Sequence, residues 1–173
     1  MKRQTLLIVL AIFVLTSCNH YESEVPITNS DNSIIDSDLL GQWYLSSDNK
    51  EDDTSGFLEV IPFNKTEYLV QLKEFVDSSE HIESIVNMRM FSSKIKKDTY
   101  LNLQFIGSDD DNKFLIYRFK SISGNRYKLY FLSKEKFTKK FTNPKSFESY
   151  IEQNSKEFEK SFEVEGILKR KIK

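Results

Sequence analysis

Cysteine is almost missing from this chain: Cys18 is the only one among 173 residues. A single thiol leaves no intramolecular disulfide and no multi-thiolate zinc site. Histidine is nearly as scarce, with only His20 and His81. Five glycines and three prolines supply no Gly-rich phosphate loop. A basic excess is lacking as well, since 25 Lys and Arg face 26 Asp and Glu, a net charge of -1. Such a balance gives no electrostatic footprint for nucleic acid.

Aromatic side chains are plentiful, with 14 Phe and 8 Tyr beside a single Trp. Phe and Tyr suit a pleated, half-buried surface, so the composition leans toward strands. The length allows one domain with its own core.

The N-terminus is a short basic stretch, Met1-Lys2-Arg3, followed by an apolar run from Leu6 to Leu15. That run has the length of a signal-peptide core and is too short to span a bilayer comfortably. It ends in Leu15-Thr16-Ser17-Cys18. These four residues resemble the lipobox of bacterial lipoproteins. The resemblance implies residues 1–17 as a cleaved signal peptide and a diacylglyceryl thioether on the Cys18 sulfur. It also implies acylation, palmitate for example, of the new amine. Loss of Lys2 and Arg3 leaves 23 cations against 26 acids, a mature charge of -3. Two or three acyl chains, at ~0.8 kcal/mol per buried methylene, hold a protein on a membrane. Asn19 stands where enteric lipoproteins retained at the inner membrane carry Asp. The expected location is therefore the cell envelope, at the outer membrane facing the periplasm more than the inner membrane, with surface exposure open.

Residues 18–38 are polar, with Pro26 and no sustained periodicity, and are expected to form a flexible tether. A coil of that length places a domain on the order of 25 Å from the membrane. His20 falls within it and reads as a solvated linker histidine.

Residues 39–173 read as one β-domain. Gly41, Trp43 and Leu45 share a strand face. Strands are expected over Gly56 to Ile61, Thr66 to Glu74 and Glu80 to Phe91. Ser92 to Lys96 is expected either to continue the last of these or to pair with it, and further strands are expected over Tyr100 to Ile106, Phe114 to Ile122 and Tyr127 to Leu132. Tyr68, Val70 and Leu72 alternate with polar partners, and so do Leu101, Leu103 and Phe105. Ser133 to Lys136 has the form of a capped helix start. Asn143-Pro144 opens a helix of about three turns. Ser161 to Lys169 alternates again and is expected to pair with the first strand. Close spacing without intervening helices points to antiparallel all-β pairing.

A Gly-x-Trp strand, a meander, a helix and a closing strand ending in a basic residue resemble the lipocalin family. The resemblance implies a barrel of 8–9 strands with one or two short helices before the last. It implies Gly41, Trp43 and Arg170 as the closure, with the arginine lying over the indole. The Thr-Asp-Tyr motif of that family is missing.

Chemistry-bearing residues are few. His81 is the one histidine inside the domain. Glu80, His81 and Glu83 are too few for a zinc site. Asp109-Asp110-Asp111-Asn112 lacks the spacing, glycine and distal glutamate of a calcium loop and reads as a turn. The acids of Glu51-Asp52-Asp53 and of Glu157 to Glu165 are not fixed about one cleft. Lys134, Lys136, Lys139 and Lys140 form a small basic patch near aromatics, ordinarily a solvated face. No catalytic residue, metal site or cofactor is expected, and an enzyme is not the reading. The expected role is a lipid-anchored protein binding a small hydrophobic ligand, with Tyr68, Met88 and Phe105 lining the site. The alternative is a filled barrel that meets another envelope protein through outward aromatics.

Overall fold

The computed structural model describes residues 19–46, 56–76, 81–107, 112–123 and 125–171. Cys18, Glu51-Asp52-Asp53, Glu80 and Asp109-Asp110-Asp111 lie outside them.

The strands are β1 (Glu22–Ser23), β2 (Gly41–Ser46), β3 (Gly56–Pro62), β4 (Tyr68–Phe75), β5 (Ile82–Ile95), β6 (Asp98–Phe105), β7 (Phe114–Ser123), β8 (Arg126–Leu132) and β9 (Phe162–Arg170). Strands β2 to β9 pair antiparallel in chain order, and β9 returns to β2. The result is a closed eight-strand barrel, which leaves no free edge in the ring. Trp43 pairs with Arg170 across the closing seam. Among the described residues, one α-helix, α1 (Pro144–Lys160), precedes β9. Its cap is Asn143, whose side chain accepts from the Ser146 N–H, with Pro144 in the first turn. At 17 residues it is longer than three turns, and it kinks at Asn154, whose amide donates to the Tyr150 carbonyl. The stretch Ser133 to Lys136 is a turn rather than a helix start. Ser92 to Lys96 continues its predecessor, one of the two arrangements expected of it: β5 runs on to Ile95, pairing with β4 over residues 82–90 and with β6 over residues 88–95.

Alternation turns one face of β2 to β9 into the barrel interior and, in β5 to β9, the other face onto a second core. Leu101, Met88, Met90, Val70, Tyr68, Val60 and Trp43 fill the barrel interior. Tyr100, Ile116, Leu132 and Phe162 face outward, where Phe147, Ile151 and Phe158 of α1 cover them. Phe158 is fully buried, with Tyr100 and Phe162 rings 5.4 and 5.3 Å away.

The segment expected to be a flexible tether is part of this second core. Ile27 is 0% exposed and Tyr21 only 6%. The Ile27 N–H donates to Asn102 Oδ1 at 2.8 Å, and Thr28 Oγ1 bonds Ser93 Oγ at 2.7 Å. Further on, the Asp36 N–H donates to the Tyr68 hydroxyl, and the turn Ser37–Leu39 places Leu39 under Trp43. Composition suggested a coil because the apolar residues are few. Tyr21, Ile27 and Leu39 are nonetheless buried, and side-chain hydrogen bonds from the sheet hold backbone N–H groups between them, at Ile27 and Asp36.

Candidate functional site

The barrel has two unlike ends. At one, the chain enters β2, and the β3–β4 and β5–β6 connections are short. Here Trp43, 3% exposed, donates from Nε1 to the Leu39 carbonyl at 2.9 Å. The Arg170 guanidinium lies 4.6 Å from its ring centre and also donates to the Asp38 carbonyl. A cation over an indole contributes roughly 0.5–2 kcal/mol. Gly41 has φ 120° and its Cβ position points at the Arg170 guanidinium, 3.8 Å away. A side chain there would be strained by that backbone conformation, while the guanidinium stands at ordinary contact distance. Gly41, Trp43 and Arg170 thus meet in one place.

Of the residues expected to line a ligand site, Tyr68 is 0% exposed and Met88 6%. A side chain with no accessible surface borders no open space, so Tyr68 belongs to a sealed floor, and Met88 is buried beside it. Sequence alternation assigns a face but not a depth, which is why it selected them. Phe105, paired with Met88, is half-buried.

Toward the other end the interior opens. Leu58, Leu72 and Val86 form one cross-strand row on the interior face. Leu58, Leu72, Leu103 and Phe105 are half-buried, and Val86 is 36% exposed. Apolar side chains directed into a barrel yet reached by solvent mark a mouth above a floor.

A polar group sits in the wall of this upper interior. The β8–β9 ladder pairs Leu129 with Gly166 and Tyr130 with Val164, leaving Glu165 unopposed as a β-bulge. Bulges re-aim side chains, and here Glu165 Oε2 lies 3.0 Å from His20 Nε2. His20, expected in solvent, is 6% exposed. Its ring lies 4.3 Å from Phe131 and 5.5 Å from Tyr117. It enters where the β7–β8 hairpin splays: β1 pairs with β7, and His20 bridges to Ser133. Burial, reinforced by the Glu165 charge, pushes the Tyr117 hydroxyl well above its ordinary pKa, so Tyr117 stays a neutral donor. Nothing in the sequence of the polar segment flagged His20, and a bulge is invisible to alternation.

Ser133, His20 and Glu165 are residue types of a hydrolytic triad. Ser133 is 0% exposed, however, and its hydroxyl has no hydrogen-bond partner among the described residues. A substrate carbonyl has no approach to it. His81 is exposed. No group of three His, Cys, Asp or Glu that could hold a metal occurs among the described residues. No described helix is long and apolar enough to cross a membrane.

The chain matches no family model, no curated protein and no solved structure.

Proposed function

We propose that this protein is a bacterial lipoprotein, anchored through Cys18 in the cell envelope, whose barrel takes a small hydrophobic ligand into its upper interior. The observation that carries the ligand reading is the graded interior: a floor sealed by Trp43, Tyr68 and Met90 beneath half-buried Leu58, Leu72 and Phe105. Large apolar walls with a few fixed polar groups are what ligand cavities need. Glu165, held in place by buried His20, and Tyr117, both part-buried, supply those groups for the polar end of an amphiphile. The element order and the Trp43–Arg170 contact favour a lipocalin-type barrel over other closed sheets. The anchor reading rests on the Leu15–Cys18 pattern.

The test uses the chain from residue 18 with Cys18→Ser, titrated with a dansyl-labelled long-chain fatty acid. Saturable one-to-one binding, displaced by palmitate, is expected. Leu72→Arg, placing a charge in the mouth, weakens it at least about tenfold, or ~1.4 kcal/mol, with the thermal midpoint retained. No saturable binding sinks the ligand reading. The anchor is tested separately by mass spectrometry of the protein from envelope fractions. A mature N-terminus at Cys18 bearing acyl chains is expected, and an unmodified thiol overturns it.

A further inference from the structure

We propose that the turn and helix start from Ser133 to Lys145 form a surface that lies flat on an anionic phospholipid bilayer. The barrel then rides on the membrane instead of swinging above it. This rests on the anchor reading above. The first observation is how Asn19 is held. The Lys134 N–H donates to the Asn19 carbonyl at 2.9 Å, and the Tyr21 N–H donates to the Leu132 carbonyl at 2.8 Å. The Tyr21 hydroxyl donates to the Lys139 carbonyl. Asn19 is therefore fixed to the wall at the end of β8, and the lipidated residue is its covalent neighbour, ~3.8 Å away Cα to Cα. No coil of twenty residues is left to hold the domain off the bilayer.

The second observation is charge. Between Ser133 and Lys145 stand Lys134, Lys136, Lys139, Lys140 and Lys145 against Glu135 alone. Five minus one gives +4 in a chain whose total is -1. Lys134, Lys139, Lys140 and Lys145 are exposed. Lys136 is spoken for by Glu163, 3.2 Å away. Beside them an open groove of about 530 Å³ is lined by Lys139, Lys140, Phe141, Ser146, Ser149 and Tyr150. The Lys139 ammonium lies 4.4 Å from the Tyr150 ring centre. Cations and hydroxyls around an aromatic floor fit a glycerol phosphate headgroup at the membrane interface. The surface also lies at the end of β8, the end at which the barrel mouth opens.

Two preparations separate this proposal from the anchor reading. The first is the Cys18→Ser chain from residue 18, mixed with vesicles of phosphatidylcholine with or without one-third phosphatidylglycerol. Each lysine near an anionic surface adds roughly fivefold to partitioning. Salt-sensitive sedimentation with the phosphatidylglycerol vesicles is expected, and Lys134→Gln/Lys140→Gln lowers it about twenty-five-fold. Equal partitioning to both vesicle types, or an unaffected double variant, overturns the surface. The second is the native protein on the same vesicles, footprinted with an amine acylating reagent. Protection of Lys134, Lys139 and Lys140, with Lys65 at the sealed end still labelled, is expected. Uniform labelling overturns the orientation. Protein without acyl chains refutes the anchor alone, because the first preparation reads the surface without it.

Discussion

His20 Nε2 and Glu165 Oε2 stand 3.0 Å apart, joining residues 145 positions distant in the chain. The contact fastens the first described turn of the protein to the strand that closes the barrel. It depends on one unopposed residue in β9 and on a hairpin that splays enough to admit a ring.

Removing the histidine from this pair leaves a carboxylate in the wall without its partner. His20→Phe keeps an aromatic ring against Phe131 but cannot reach Glu165 with a donor. An unsatisfied polar group costs about 1–3 kcal/mol, read as a shift of the urea midpoint. Glu165→Leu in addition removes the orphaned charge. The double variant is expected to be more stable than His20→Phe alone, because the two sites share one interaction. Simple additivity of the two substitutions would contradict the pairing.

Much of the barrel was legible before any coordinates. Tyr68, Val70 and Leu72 alternate, as do Leu101, Leu103 and Phe105, and each set shares one interior face. Gly41 and Trp43 at one end and Arg170 at the other identified the seam that closes the ring. What alternation cannot express is depth and irregularity. It did not separate buried Tyr68 from half-buried Phe105, and it could not foresee the bulge at Glu165. The segment from His20 to Leu39 misled for a different reason. Its apolar residues, Tyr21, Ile27 and Leu39, follow no period because they descend into different parts of the outer and inner cores. Periodicity is a signal of regular elements, and this stretch is held by individual anchors.

Acid should loosen the sheet at Glu67. Burial opposes its ionisation, but hydrogen bonds from Arg89, Ser30 and Asn64 outweigh that, and its carboxyl is held below the ordinary 4.5. The Arg89 Nε donor lies 2.9 Å away. A carboxyl with a depressed folded pKa stabilises fully above its unfolded value and loses that contribution as pH falls through the folded one. Unfolding free energy should therefore decline from about pH 4.5 downward. Glu67→Gln should flatten that acid limb while lowering stability at neutral pH. An unchanged limb in urea titrations at successive pH values would remove Glu67 from the account.

Gly166 lies where β9 passes β2. A Cβ there would come 2.8 Å from the Ser46 carbonyl oxygen and 3.0 Å from Leu45 Cδ1. The first obstacle is backbone of the adjacent strand, which cannot rotate away. Gly166→Ala is expected to cost about 1–3 kcal/mol through overpacking at the seam. The measurement is the thermal midpoint, set beside Gly107→Ala. Gly107 has φ 84° but nothing within 4 Å of its Cβ position, so that change tests backbone strain alone. A neutral Gly166→Ala would mean that β2 and β9 are not pressed together there.

Ile27 decides whether the N-terminal segment is structure or spacer. In a solvated tether, shortening one aliphatic side chain changes nothing measurable. Here Ile27 has no exposed surface and packs in the same cluster as Phe137, Phe147 and Phe158. Its N–H is held by Asn102, itself 0% exposed and tied through Nδ2 to Ser93 Oγ at 2.8 Å. Ile27→Ala is expected to cost about 2–4 kcal/mol, the transfer and cavity terms of a buried aliphatic. The backbone bond gives an independent reading: the Ile27 amide should exchange with solvent on the scale of the sheet amides, not of a free coil. Exposed Ile34, 80% accessible in the same segment, is the control, and Ile34→Ala should leave stability within about 0.5 kcal/mol. If both substitutions are silent and the Ile27 amide exchanges freely, residues 19–38 are a tether after all. The membrane-riding geometry built on Asn19 then goes with them.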